Sequence, residues 1–192
     1  YAGSIEKRCE FAAEIIRLIR LELGSDYPII LRWSQWKMQN YEAKLAHNPK
    51  ELEAFLTPLV TAGIDIFHCS QRRFWEPEFE KSHLNLAGWV KKISSKPTIT
   101  VGSIGLDADF ISNPDQRGFS EAEPASLNEL LTRLDNDEFD LIAVGRALIS
   151  NPNWVKHIQN NEDQKIKSFK KEHLRQLILS LIHISEPTRP LH

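Results

Sequence analysis

Four places along the chain set glycine or polar residues directly after an apolar run, and each could hold a charged ligand. "PIILRWSQ" delivers Arg32, Trp33, Ser34 and Gln35, and "IDIFHCS" delivers His68, Cys69 and Ser70. "PTITVGSIG" delivers Gly102, Ser103 and Gly105, and "FDLIAVGRAL" delivers Gly145 and Arg146. Glycine lets a ligand approach backbone N–H groups closely, and consecutive amides at a loop-to-helix start bind anions. Arginine adds a planar fork suited to phosphate oxygens. Gly102, Ser103, Gly145 and Arg146 are therefore the residues expected to bind a phosphate. Arg32 is a separate case. A charge within an apolar strand is costly unless it is paired. It is expected either to meet a carboxylate or to lie against an electron-rich cofactor edge. His68, inside "DIFHCS", reads as a packed strand residue.

The surrounding pattern says which elements position these groups. Ser4 is placed to cap a helix that buries Ile5, Cys9, Ala12, Ile16, Ile19 and Leu23 at spacings of three and four, with Gly24 ending it. Helices follow at about 50–62 (with Pro58 expected to kink it), over "LNLAGWVKKIS", over "SLNELLTRLDN" with Ser126 as cap, and from near Pro152. Strands are expected near 28–33, 64–69, 97–101 and 139–144, at intervals of about 35 to 42 residues. Three of the four are near-continuous apolar runs, which implies burial on both faces and a parallel sheet. A doubly wound sheet and part of a (β/α)8 barrel both fit. A whole barrel needs about 250 residues, so four units would be half of one. In either fold the chemistry belongs at the C-terminal ends of the strands, where the four stretches put it.

Composition narrows the function classes. The 192 residues carry 24 basic and 26 acidic side chains, for a formal net charge of -2, so no field draws in nucleic acid or a membrane surface. No apolar run approaches the roughly 18 residues of a membrane span. Cys9 and Cys69 match no zinc spacing, no metal site is expected, and two reduced thiols suit a cytoplasmic protein. The last residues, Ser180 to Pro190 ("SLIHISEPTRP"), resemble sequencing-adapter DNA translated in frame. The expected domain is therefore 1–178, with 179–192 a non-native tail.

The ordered set of stretches reaches a family. "YAGSIEKRCEFAAEIIRLIR" resembles the "YGGS-x-ENR-x-RF" segment of the Old Yellow Enzyme family, FMN-dependent ene-reductases on a (β/α)8 barrel. "ILRWSQW", "TAGIDIFHCS", "TVGSIG" and "DLIAVGRALISNPNW" then resemble, in the same order, that family's strands five to eight. The resemblance runs from about Tyr1 to His157. It implies a partial barrel, the C-terminal half only. It implies Arg32 as the cation at the flavin N1/O2 edge, where reduction puts negative charge. Gly102 and Ser103 would give backbone contacts to the FMN phosphate, joined by Gly145 and Arg146. Ala2 and Lys7 depart from the family's Gly and Asn. The activity implied is NAD(P)H-dependent reduction of activated C=C bonds in enones or enoates, with NADH or NADPH as reductant and a small unsaturated carbonyl compound as substrate. The family's carbonyl-binding His pair and proton-donor Tyr precede the matching segment, so no catalytic residue is expected in this chain. An FMN oxidase or dehydrogenase, or an inactive half-barrel with only an anion site, are the other readings. Self-association into a homo-oligomer is expected of a half-barrel.

Overall fold

In the computed structural model, residues 3–37, 40–110 and 120–175 are described. The tail expected at 179–192 lies outside them. The chain divides into two compact units: one comprises Tyr1–Gly102 with Leu127–Ala143, the other Ser103–Ser126 with Val144–His192.

The first unit alternates helix and strand: α1 (Ile5–Leu23), β1 (Ile30–Ser34), α2 (Pro49–Thr61), β2 (Ile66–Ser70), α3 (Leu86–Ser94), β3 (Thr98–Val101), α4 (Asn128–Asp135) and β4 (Leu141–Ile142). All three strand pairings are parallel, and the strands lie in sequence order, β1-β2-β3-β4. There is no reversal of order in the sheet, which excludes the doubly wound alternative and leaves part of a (β/α)8 barrel. The strands are shorter than their apolar runs predict. The β4 run spans six residues in sequence, but only Leu141 and Ile142 hold ladder positions.

Side-chain alternation gives the sheet two different faces. Phe67 and Cys69 of β2, with Thr98 and Thr100 of β3, are completely buried on the helix-packed face. Trp33 of β1 lies on that side too, its ring 4.7 Å from Phe55 of α2. Leu52, Leu56 and Leu59 of α2 and Leu86 and Val90 of α3 complete this core, each 1% exposed or less. Burial of that extent is worth roughly 1.5–3 kcal/mol per large aliphatic side chain. The opposite, open face carries one row across all four strands. Arg32 pairs in register with His68, His68 with Ile99, and Ile99 with Leu141.

Local signals set the helix ends. Ser4 caps α1, Asn48 caps α2 by accepting from the Glu51 N–H at 3.0 Å, and Asn85 caps α3 by accepting from the Gly88 N–H at 2.9 Å. Pro58 is accommodated inside one continuous helix. In α4 the cap position falls on Leu127 with no side-chain capping bond, not on Ser126 as the sequence suggests. Ala13, one position from the expected Ala12, is the α1 alanine that is fully buried, and Leu23 is 48% exposed.

The strand entrances are fixed by one side chain. Arg20 donates to the carbonyls of Gly24, Ser25, Tyr27 and Gly63 and to the Asp65 carboxylate, at 2.5–3.0 Å. Asp65 also accepts from the Ile29 N–H at 2.7 Å, which ties the approach to β1 to the approach to β2.

The second unit holds α5 (Arg146–Ser150), α6 (Trp154–Gln159) and two short 3-10 turns, Asp163–Lys165 and Lys171–Leu174. Its core is Phe169, fully buried, with Trp154, Ala147 and Ala122. Backbone bonds in both directions between Ala122 and Phe169 join the loop to the later segment.

Candidate active site: the strand exits

At the exit of β1 and β2, Arg32 lies on the open face and is exposed. Its Nη2 donates to Ser70 Oγ at a long 3.4 Å, and among the described residues it has no carboxylate partner. The ion-pair alternative for Arg32 therefore does not occur there. His68, its register partner, is half-buried. Its Nε2 has no exposed surface and no hydrogen-bond partner among the described residues. Burial, and then the Arg32 charge, hold its pKa below the ordinary histidine value. Cys69 faces the helices, and its burial pushes the thiol far above the usual range, so it is inert.

One residue further on, Gln35 is 6% exposed and organises the loops. Its amide nitrogen donates to the Ala46 carbonyl (2.9 Å) and to Glu78 Oε1 (3.0 Å), and its oxygen accepts from the Leu45 and Ala46 N–H groups. Lys44 closes the arrangement by donating to the Glu78 backbone carbonyl and carboxylate. Burial raises the Glu78 pKa, and Lys44 and Gln35 oppose that rise. The loop after β2 is held from two further sides. Asn85, completely buried, donates to the Phe74 carbonyl (2.8 Å) and to Thr100 Oγ1 (3.3 Å). Arg133 of α4 donates to the carbonyls of Trp75 and His83. Between the two loops lies a cavity of about 350 Å³ lined by Gln35, Trp36, Tyr41, Ser70, Arg72 and Glu78 among others. The Arg72 guanidinium lies 4.5 Å from the Tyr41 ring centroid. Neither Asn85 nor Arg133 was singled out from sequence. Asn85 is legible in hindsight as the helix cap before "LAGWV", whereas the local pattern offers Arg133 only a helical pair with Glu129 and not the carbonyls 50 and 58 residues away.

The two glycines of the expected phosphate site differ in kind. Gly102 has φ +131, and a Cβ there would come within 2.8 Å of the Gln71 carbonyl oxygen. It is glycine because the backbone after β2 passes over it. A Cβ on Gly145, at the start of α5, would meet nothing within 4 Å, so packing does not require glycine there.

In the second unit Ser103 is left-handed, φ 52, and its hydroxyl donates to the Ala108 carbonyl at 3.0 Å. Arg146 turns to the same loop. Its Nη1 donates to the carbonyls of Asp109 and Ser120 (3.0 and 3.1 Å), its Nη2 donates to Ala108 (2.6 Å), and the guanidinium lies 5.5 Å from the Phe169 ring centroid. A guanidinium carries five N–H groups. Three are committed to the loop, and two remain without an acceptor among the described residues. Burial lowers the Arg146 pKa from its ordinary value, with Asp109 and Asp107 acting the other way. Among the described residues no cluster of His, Cys, Asp and Glu could hold a metal ion, and no helix is long and apolar enough to cross a membrane.

Four consecutive parallel strands in sequence order, with helices between them, define part of a (β/α)8 barrel. Residues 1–117 match the NADH:flavin oxidoreductase / NADH oxidase family, and the chain belongs to that family. It is 29% identical over 175 residues to an NADH oxidase of Thermoanaerobacter brockii, covering 87% of this chain and 23% of the oxidase. It is 26% identical over 186 residues to a cinnamate reductase of Clostridium sporogenes, covering 87% of this chain and 25% of the reductase. The old yellow enzyme homologue from Zymomonas mobilis superposes with a TM-score of 0.60 at 16% identity, over 90% of this chain and 42% of that one. The chain thus spans about a quarter of the length of the two relatives it matches in sequence.

Proposed function

We propose that the chain supplies flavin-binding residues of an FMN-dependent oxidoreductase that reduces activated C=C bonds with NADH or NADPH. The observation that carries this reading is Arg32, an exposed guanidinium on the open sheet face at a strand exit, without a carboxylate partner among the described residues. A cation so placed suits the electron-rich N1/O2 edge of a flavin. In this reading the open backbone of Gly145 meets the FMN phosphate, together with Ser103 and the two remaining N–H groups of Arg146, all within the second unit. FMN supplies hydride transfer when bound. This chain's own residues hold and orient it. The cinnamate reductase relative supports an enoate as the class of substrate.

Flavin binding tests this reading directly. The chain titrated into FMN should quench flavin fluorescence, and Arg32→Gln should weaken binding by roughly 1.5–3 kcal/mol, the worth of a charge-assisted contact. Equal affinity in Arg32→Gln and in Gly145→Val would overturn the assignment. The substrate class is tested by loading with FMN, reducing with NADPH and adding cinnamate: reoxidation by an enoate supports it, and reoxidation by dioxygen alone removes it.

A further inference from the structure

Arg32 and His68 stand side by side on adjacent parallel strands and face the same way. Their Cα atoms are register partners. The face is fixed by alternation, because Phe67 and Cys69, the neighbours of His68, are completely buried on the other side. It is fixed again by the reach of Arg32 to Ser70. On its far side His68 is paired with Ile99. The groups facing His68 are therefore Arg32 and Ser34 from β1, Ile66 and Ser70 from its own strand, and Ile99 and Val101 from β3. Arg32 alone among them is charged.

An imidazole whose Nε2 is shut off from solvent in that position has a clear preference. Nε2 has neither solvent nor an acceptor within reach among the described residues. An imidazolium would have to bury an unpaired N–H there, beside a second positive charge, whereas the neutral tautomer leaves only a lone pair. The balance depends on what Arg32 faces. An anion resting on the guanidinium cancels the repulsion and shifts the balance toward the imidazolium.

We infer that His68 is a positioning residue for the charge at Arg32, neutral while the guanidinium is uncompensated and taking a proton from water when a negative group settles against it. The inference rests on the reading above, in which that negative group is the flavin edge after reduction. Hydride from NAD(P)H carries two electrons and one proton and leaves NAD(P)+. The cofactor thus gains one negative charge, and the proton added to His68 offsets it. No bond to carbon forms or breaks at His68. Its effect is to make reduction easier as pH falls.

The full chain serves for the test. His68 is followed by NMR through its imidazole Cε1–H resonance, assigned by its loss in His68→Gln. Its midpoint should rise in Arg32→Gln, and it should rise in the FMN-loaded chain when dithionite reduces the flavin. Over the pH range between the oxidised and reduced midpoints, the flavin potential should fall with pH by about 30 mV per unit more than in His68→Gln, the equivalent of one tenfold step per proton in a two-electron couple. A His68 role confined to packing would leave that slope unchanged. A midpoint unmoved by Arg32→Gln, or equal slopes in wild type and His68→Gln, would overturn the inference. If the chain binds no FMN, the proposed function falls, while the Arg32→Gln comparison still decides whether the pair is coupled.

Discussion

Arg133, on α4, donates from Nη2 to the carbonyl of Trp75, 3.1 Å away and 58 residues earlier in the sequence. The same guanidinium holds the His83 carbonyl and lies 3.7 Å from Glu138, whose side chain is only 8% exposed. Arg133→Ala removes the anchor of the loop after β2 and leaves Glu138 as a buried carboxylate without its cation. A loss of about 3 kcal/mol is expected. Urea unfolding with an unchanged m-value would measure it, and proteolysis should begin within residues 72–84.

Asn85→Ala tests the same loop from inside. The substitution leaves the Phe74 carbonyl and the Gly88 N–H without their buried partner and removes the cap of α3. Each unsatisfied group costs about 1–3 kcal/mol, so a drop of about 2–4 kcal/mol is expected. The readout is the urea midpoint.

Gly102 and Gly145 should separate packing from ligand contact. Gly102→Ala forces a Cβ to 2.8 Å from the Gln71 oxygen at a φ of +131, and should destabilise the fold by about 1–3 kcal/mol. Gly145→Ala places its Cβ in open space and should leave stability within about 1 kcal/mol of wild type, while FMN affinity falls. Thermal melts with and without FMN compare the two. Similar affinity losses without a stability difference would show that both glycines are ligand contacts.

The Asp65 carboxyl is held below the ordinary aspartate pKa, first by the Ile29 N–H and then by Arg20. The unfolded chain therefore binds this proton at higher pH than the folded one. Stability from Asp65 is complete above the ordinary aspartate range and is lost as pH falls through the depressed folded value. The carboxylate is 38% exposed, so solvent screening keeps the effect modest. Urea midpoints from pH 6 down to about 3 should fall more steeply in wild type than in Asp65→Asn.

How much of this was readable in advance depended on distance along the chain. The parallel order followed from apolar runs at regular spacing, and the two ends of α1 from Ser4 and Gly24. Residues at the strand exits were legible because parallel α/β folds concentrate chemistry there. Arg32 was legible as a charge inside an apolar strand, and Arg146 only as a cation after one. Its three carbonyl partners come from a loop whose path no local pattern encodes. Ser126 misled for a related reason: a good capping residue is a preference, and the chain starts α4 two residues later. Gln35 has ordinary polar composition and became an organiser only when residues 45, 46 and 78 converged on it.

The grip of Arg20 on five acceptors has a consequence for how the sheet can be altered. It clamps β1 and β2 together at the end where the chain enters them, about three residues, or roughly 10 Å of extended strand, before Arg32. The alignment of Arg32 with His68 is therefore set from below, like two rulers pinned at one end, and does not depend on the loops above. Those loops form an exchangeable layer. Replacing residues 40–44 with a sequence of different length should alter what enters the cavity while Arg32 and His68 stay level. Replacing Arg20, far from any ligand, should let them slide.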